Sequence, residues 1–176
     1  MELNNLLKHT KNNLFAILDT AISSDMLSEL RTEKITYVSL FEEKTGDLLQ
    51  DVVPYLIQCP QESKFTKWLI STGWKQNWGI FFVSESSIEE LRQHFRHFLL
   101  TEDEDGIQYY FRFYDPRVLR VFLPTCNKNE VKQFFGHVKQ FFIEGKKQNE
   151  ILIFMLAPDG DTVLIKSLDT EIVSNR

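Results

Sequence analysis

The sequence predicts a single α/β domain in which helices flank a mixed sheet that ends in an antiparallel β meander. Short apolar runs alternate with segments of helical period over the first two thirds of the chain. Several runs, such as 78–83, are apolar on both faces, which is typical of strands covered on two sides. The last third changes character, because consecutive strand-like runs flank a turn at 158–161.

The elements of the first half follow from apolar runs and helix caps. Asp19 ends the first apolar run, and Ser23 or Ser24 is placed to cap a helix that reaches about Glu33. Pro54 is expected at the start or the edge of its strand, because it has no amide to donate. The expected order is a leading helix over 3–11, strands over 14–18, 35–41 and 52–57, and a helix over 61–72.

The second half contains clearer helix signals. Ser86 or Ser87, with Glu89 or Glu90 three residues later, predicts a capping box. Its helix is expected to run to Leu100, and a further helix begins at Asn127 or Asn129 and ends at Gly136. The strands expected here are 78–83, 109–114, 138–143, 150–156 and 162–168.

Composition limits the classes of partner and the compartment. The net charge of −5 argues against binding to a phosphate backbone, so no nucleic acid partner is expected. Cys59 and Cys126 stand alone, which suits a reducing compartment. The N-terminus lacks the apolar core of a signal peptide, and the longest apolar run, 151–157, is far short of the ~20 residues of a membrane span. We expect a cytoplasmic protein with no membrane span.

The aromatic content is high for a chain of this size, with 15 Phe, 5 Tyr and 3 Trp in 176 residues. This number exceeds what a small core needs. We therefore expect some of these side chains at the surface or in a groove, where aromatic groups favour contacts with a partner.

The sequence predicts neither an enzyme nor a cofactor. His94 and His97 are three apart on one predicted helix, and Glu90 lies one turn before His94. His97 falls opposite the apolar face, however, and no third strong ligand is near, so we expect surface or boundary histidines and no metal. The motifs of nucleophilic catalysis and of nucleotide phosphate binding are missing from the sequence. No catalytic residue is therefore assigned.

The most informative segment is 109–125. Asp115 is expected to cap a helix that begins at Pro116, because Asp accepts bonds from first-turn amides and Pro lacks the amide that would stay unpaired. In the strand before it, Tyr110, Arg112 and Tyr114 are expected to share one face.

The arginines of this segment are the best site candidates. Arg117 and Arg120 are three apart on the predicted helix and share a face. In one interpretation Arg112 or Arg117 pairs with Asp115 and fixes the corner, while Arg120 is solvated. In the other, the arginines, with Tyr110 and Tyr114, present bidentate donors and aromatic faces to an acidic segment of a partner. The first is favoured for Arg112, and the two are balanced for Arg117 and Arg120.

One sequence motif resembles the signature of the type VI secretion adaptor proteins, or effector chaperones. It reads Arg-Phe-Tyr-Asp-Pro-Arg-Val-Leu over 112–119 and is followed by Phe-Leu-Pro. Further segments that resemble this family, in a consistent order, are 14–21, 78–82, 98–100 and 134–136. Many members continue into a further C-terminal lobe, which we do not expect here because the sequence stops soon after its last predicted strand, so the partner-contacting surfaces of longer relatives cannot be carried over. The resemblance implies an adaptor domain over 14–168, preceded by a helical extension (1–13) and followed by a polar tail (169–176).

The resemblance also implies the function. Members bind a toxic effector and help to load it onto the spike (VgrG-type) protein without performing chemistry, so the expected partners are these two proteins. The alternative is a domain that binds a small anion or phospho-ligand, possibly as an enzyme, through Arg112, Arg117 and Arg120.

Overall fold

A seven-stranded antiparallel sheet forms the centre of the fold. The computed structural model describes residues 13–23, 25–41, 53–103, 105–147 and 149–169. The strands are β1 (Asn13–Asp19), β2 (Tyr37–Ser39), β3 (Pro54–Gln58), β4 (Gly79–Ser84), β7 (Val138–Glu144), β8 (Glu150–Leu156) and β9 (Val163–Asp169), in the spatial order β2-β3-β1-β4-β7-β8-β9. The strands β5 (Leu100–Glu102) and β6 (Gln108–Tyr110) form a separate two-stranded sheet.

Helices cover both faces of the large sheet. They are α1 (Asp25–Thr32), α2 (Lys64–Trp68), α3 (Ile88–Arg96), α4 (Pro116–Phe122) and α5 (Lys128–Phe135). Apolar residues of α1 and α2 pack with one face, and those of α3, α4 and α5 pack with the other. Successive β1 residues enter opposite cores, Phe15 and Ile17 on one side and Ala16 and Leu18 on the other. This double burial explains why the strand sequence is apolar without alternation.

The predicted α/β class, the flanking helices and the terminal meander are confirmed. The expected mixed sheet is corrected in detail, because each pairing among the described strands is antiparallel. β3 and β4 are the two neighbours of β1 in the sheet, and both run antiparallel to it. A parallel neighbour would need a crossover that delivers the strand in the same direction.

The helix signals are confirmed more closely than the element ends. Ser87 and Glu90 form the capping box of α3, and Asn127 and Glu130 form that of α5. The helix expected over 61–72 divides into α2 and a π turn, Leu69–Gly73, and α3 ends at Arg96 instead of Leu100. The strand expected over 35–41 contracts to β2.

The strand expected over 109–114 is wrong beyond Tyr110. Phe113 and Tyr114 are both buried, at 0% and 3% exposure, although neighbours in a half-buried strand alternate. A turn closed by the Asp115 amide and the Arg112 carbonyl takes the place of the strand end. The remaining strand pairs with β5 and not with the large sheet.

Of the aromatic side chains, some of which are expected at the surface, two tyrosines are exposed and the phenylalanines are not. All 15 Phe residues belong to the cores or pack against them. Many touch one another, as in the stack of Phe95 on Phe113 with ring centroids 5.6 Å apart. The exposed aromatic side chains are instead Tyr109 and Tyr110, at 52% and 40% exposure. Phenylalanine here fills a core on both faces of one sheet.

Most of the two terminal segments lies outside the described residues. The leading helix and the extension over 1–13 lie outside the described residues except for Asn13, and the tail over 169–176 does so except for Asp169. Among the described helices, none has the length and apolar character needed to cross a membrane.

Candidate functional site

The corner before α4 is built around the buried carboxylate of Asp115. Its Oδ1 accepts the Arg117 backbone amide at 2.9 Å, as expected for a helix cap, and Pro116 is the first helical residue. The Arg117 side chain returns to the same carboxylate, with Nε 2.9 Å from Oδ1 and Nη2 2.6 Å from Oδ2. The predicted cap is therefore present, and Arg117 is the arginine that pairs with it.

Arg117 fixes the charge state of this corner. Burial alone would raise the pKa of the Asp115 carboxyl, but the hydrogen bonds and the charge of Arg117 together outweigh it and lower that pKa. The arginine keeps 57% of its side chain exposed. It can thus hold the corner and still offer its outer edge to a ligand.

Arg112 does not pair with Asp115. It forms an ion pair with Asp19, whose side chain is 7% exposed at the end of β1. Asp19 also accepts the Ala21 amide at 3.1 Å and so caps the turn that follows β1. Arg112 therefore attaches the corner to the first strand.

The two tyrosines expected beside Arg112 do gather there. The Arg112 guanidinium carbon lies 5.8 Å from the centroid of the Tyr114 ring, within the range of a cation–π contact. The hydroxyl of Tyr114 donates to that of Tyr110 at 3.3 Å, and Tyr110 packs against Phe41 with centroids 5.5 Å apart. These contacts arise although the strand ends at Tyr110, because the turn brings Tyr114 back toward it.

Arg120 is placed differently from the expectation of a solvated side chain. It is half-buried, and its Nη1 donates to the carbonyl oxygens of Glu144 and Gly145, each at 3.3 Å. Its buried Nε has no hydrogen-bond partner among the described residues. Arg120 thus ties α4 to the end of β7.

Arg117 and Arg120 line a cavity of about 430 Å³ between α4, the turn before β4 and the loop between β7 and β8. Five lining residues carry basic side chains, and two carry carboxyl groups, Glu144 and Glu150. The basic residues are Lys75, Arg117, Arg120, Lys146 and Lys147. Arg112, Tyr110 and Tyr114 do not line it, so the predicted site residues divide between two places.

Glu144 is the buried acid of this cavity, at 6% exposure. Burial raises the pKa of its carboxyl to about 7, against the opposing effects of the Asn77 and Lys75 amides and of Arg120. The backbone amide of Asn77 donates to both carboxylate oxygens of Glu144, at 3.2 and 3.3 Å. A carboxyl with this pKa changes its protonation near neutral pH.

The turn that faces Glu144 has an unusual backbone. Lys75 and Asn77 have φ values of 73° and 55°, in the left-handed region that non-glycine residues seldom adopt. Side chains hold both residues in place: Lys75 donates to Asn149 at 2.9 Å, and the Asn77 amide is bound by Glu144. Such strain persists only where surrounding contacts over-determine it.

The predicted histidines serve the fold in the described structure. His94 is half-buried, its Nε2 lies 2.9 Å from the carbonyl oxygen of Phe134, and burial lowers its pKa. His97 is exposed, with Nδ1 2.6 Å from the Gln93 carbonyl oxygen. The described part of the chain contains no group of three or more His, Cys, Asp or Glu side chains that could hold a metal ion.

Sequence reasoning missed Asp19 as the partner of Arg112, and it missed Glu144. Asp19 carries a usable signal, because an acid directly after a buried apolar strand is well placed to cap the next turn. Glu144 has no such signal, since it ends one strand among several that contain a charged residue. Glu144 matters because α4 and the turn at 73–77 contact it, and these segments are distant from Glu144 in the sequence.

A comparison with protein families matches residues 14–133 to the domain of unknown function DUF4123. This segment is more than half of the 176-residue chain. The chain belongs to the DUF4123 family. No curated protein and no solved structure matches it significantly.

The match to DUF4123 includes the whole Asp115 corner and Asp19, the partner of Arg112. It also includes the turn at 73–77, but it ends before β7. One wall of the cavity, which carries Glu144, Lys146 and Lys147, therefore lies beyond the matched DUF4123 segment.

Proposed function

We propose that this DUF4123 protein is a cytoplasmic, non-catalytic adaptor that binds a type VI secretion effector and helps to load it onto the spike protein. The observation that carries the proposal is the family match over 14–133, since this family is associated with type VI effector adaptors. The match contains the 112–119 block on which the resemblance to those adaptors rests.

The corner supports a role in which shape matters more than chemistry. Arg112 and Arg117 are each engaged by a buried carboxylate, yet 45% and 57% of their side chains remain exposed. Tyr109 and Tyr110 are exposed nearby in β6. Rigid arginines beside exposed tyrosines are typical of energetically important contacts between proteins.

The test is co-purification of the tagged chain with the product of a neighbouring toxin gene. A stable complex of the two purified proteins that also binds the spike protein is the expected result. If the chain captures no neighbouring toxin, or if it modifies the toxin covalently, the adaptor proposal fails.

The contact residues need a gentler test than charge reversal. A Glu in place of Arg117 would lie beside Asp115, and one in place of Arg120 would lie beside Glu144, so charge reversal at these positions would disturb the fold as well as the contact with a partner. Arg117→Ala and Arg120→Ala, each with a thermal melt, separate loss of partner from loss of stability. If both variants fold and capture the effector like the wild type, the assignment of these arginines is wrong.

The second candidate function is binding of a small anion, and the basic cavity favours it. Arg112 is removed from that candidate site because it lies at Asp19, leaving Arg117 and Arg120. Calorimetric titration with inorganic phosphate and with a dicarboxylate tests it directly. Binding that Arg120→Ala abolishes would support this function over the adaptor, and no heat with either anion would reject it.

A further inference from the structure

The cavity beside α4 is basic in a protein whose net charge is −5. Its cationic side chains come from three separate elements: Lys75 from the turn before β4, Arg117 and Arg120 from α4, and Lys146 and Lys147 from the loop after β7. Convergence of like charge from distant parts of the chain raises the local positive potential and favours an anionic occupant.

The cationic side chains of the cavity differ in whether they already have a partner within the protein. Arg117 is bound to Asp115, Arg120 to two carbonyl oxygens, and Lys75 to Asn149. Lys146 and Lys147 are exposed, and their ammonium groups form no ion pair with any described residue. The ammonium groups of these two lysines can therefore bind an anionic ligand, next to Arg117, Arg120 and Lys75, which already have partners.

The backbone of Lys146 and Lys147 is fixed by hydrogen bonds to Glu150. One carboxylate oxygen of Glu150 accepts the Lys146 and Lys147 amides at 3.0 and 3.3 Å, and the other accepts the Ser167 hydroxyl at 2.8 Å. The Glu150 charge is therefore directed to the backbone of the loop. Because the Lys146 and Lys147 backbone is fixed in this way, it loses little freedom on binding, which favours affinity.

We propose that this cavity is a docking site for an acidic segment of the partner protein, whose carboxylates are bound by Lys146 and Lys147 at the rim and by the outer edge of Arg117. The inference rests on the proposed adaptor function and identifies the chemistry of the partner. Charge complementarity selects the occupant, and the solvent-exposed rim, formed by Gln76, Arg117, Lys146 and Lys147, lets a chain approach from outside.

The first experiment uses the full chain and needs no effector. The probe is a fluorescein-labelled 12-residue peptide of alternating Glu and Ser, and its control replaces Glu with Gln. We expect fluorescence anisotropy to show binding of the acidic peptide only, with an affinity that falls as salt rises. Lys146→Gln with Lys147→Gln should weaken that binding about tenfold.

A matched double variant controls for net charge. Lys139→Gln with Lys166→Gln removes two exposed lysines that do not line the cavity, and it should bind the probe like the wild type. Equal loss in both double variants would show unspecific attraction and overturn the site. Displacement of the peptide by stoichiometric inorganic phosphate would show a small-anion site and overturn the docking proposal.

A pH series gives a readout that a merely structural role would not produce. The groups facing Glu144 are Arg117 and Arg120 from α4 with Asp115 at its cap, Lys75 and the Asn77 backbone amide from the turn, Lys146 and Lys147 from the loop, and Glu150 from the start of β8. An ionised Glu144 repels an incoming carboxylate, so probe affinity should rise as pH falls from 8 to 6. Glu144→Gln should remove this dependence, and an unchanged pH profile in that variant would contradict the geometry proposed.

Capture of the effector separates this proposal from the adaptor function. If the wild type captures the neighbouring toxin and the Lys146 and Lys147 double variant captures it equally well, the docking site is wrong and the adaptor function stands. If the wild type binds the probe at these lysines but captures no toxin, the adaptor function fails and the site is an acidic-peptide receptor of another role. If the wild type binds neither, both are wrong.

Discussion

Arg112 and Asp19 form an ion pair across 93 positions of the chain. Asp19 ends β1, an interior strand of the large sheet, and Arg112 lies in the turn after β6 of the small sheet. The pair therefore attaches the corner that carries α4 to a strand in which residues 14–19 are all buried. Two segments that stand out separately in the sequence, 14–21 and 112–119, are one structural unit.

A double-mutant cycle should detect this attachment. Asp19→Asn keeps an oxygen that can accept the Ala21 amide. Arg112→Gln also loses the contact with the Tyr114 ring, but that loss occurs in both variants that carry it and cancels in the cycle, which leaves the coupling between Arg112 and Asp19. Because 45% of the Arg112 side chain is exposed, we expect a coupling of about 0.5–1 kcal/mol, measured by urea denaturation. The coupling should decrease in 1 M salt, and additive single effects would show that the pair contributes nothing.

Removal of the corner carboxylate should cost more than removal of a surface acid. Asp115→Ala leaves the first-turn amide and the Arg117 fork without their acceptor, so we expect a loss of about 1 kcal/mol, within a range of about 0.5–2. Asp105→Ala, in the exposed loop between β5 and β6, makes the same change in charge. Equal denaturation midpoints for these two variants would argue against the cap.

The local features of the fold were predictable because they depend on short-range chemistry. The caps of α3, α4 and α5 follow from a side-chain oxygen next to free amides, and neighbouring residues suffice to identify them. The end of β6 was not predictable in this way. Tyr109 to Tyr114 has the composition of a strand, and the burial of both Phe113 and Tyr114 in the core overrides it.

The candidate site was predictable only on one side. The sequence places Arg117 and Arg120 on one helical face, and the structure shows both at the cavity. Their partners come from remote segments, Glu144 from β7 and Lys75 from the turn before β4. Periodicity within one helix contains no information about what packs against it, so the cavity emerged only from the fold.

Gly79 should tolerate no side chain. A Cβ built at this position would lie 2.0 Å from the backbone oxygen of Ile17, because β4 passes β1 at close range. We expect Gly79→Ala to destabilise the protein by several kcal/mol or to prevent folding, since backbone cannot move aside as a flexible side chain can.

Gly160 provides the control for that experiment. It has a φ of 70° in the turn before β9, and a Cβ there would meet no atom within 4 Å. Gly160→Ala should therefore cost only about 1 kcal/mol, for the strained backbone. Similar losses in the two variants, measured by thermal melts and circular dichroism, would show that the contact with Ile17 is not what requires glycine.

Glu144 should make stability fall as pH rises toward neutrality. The folded pKa is about 7 against an ordinary 4.5, so between these values the native chain binds more protons than the unfolded chain. Stability that is fully present below pH 4.5 is then lost as pH rises through 7. Relative to wild type, Glu144→Gln should gain stability between pH 5 and pH 8, by up to about 3 kcal/mol.

Glu150 offers an internal control with the opposite sign. The Ser167 hydroxyl and the Lys147 and Lys146 amides lower the pKa of its carboxyl, so its contribution is present above its ordinary pKa and is lost as pH falls through its folded value. Urea denaturation at four pH values should show Glu150→Gln losing stability relative to wild type at neutral pH, where Glu144→Gln gains it. A stability difference between Glu144→Gln and wild type that stays constant from pH 5 to pH 8 would mean that Glu144 is ionised throughout, held by the Asn77 amide and Arg120 more strongly than burial opposes it.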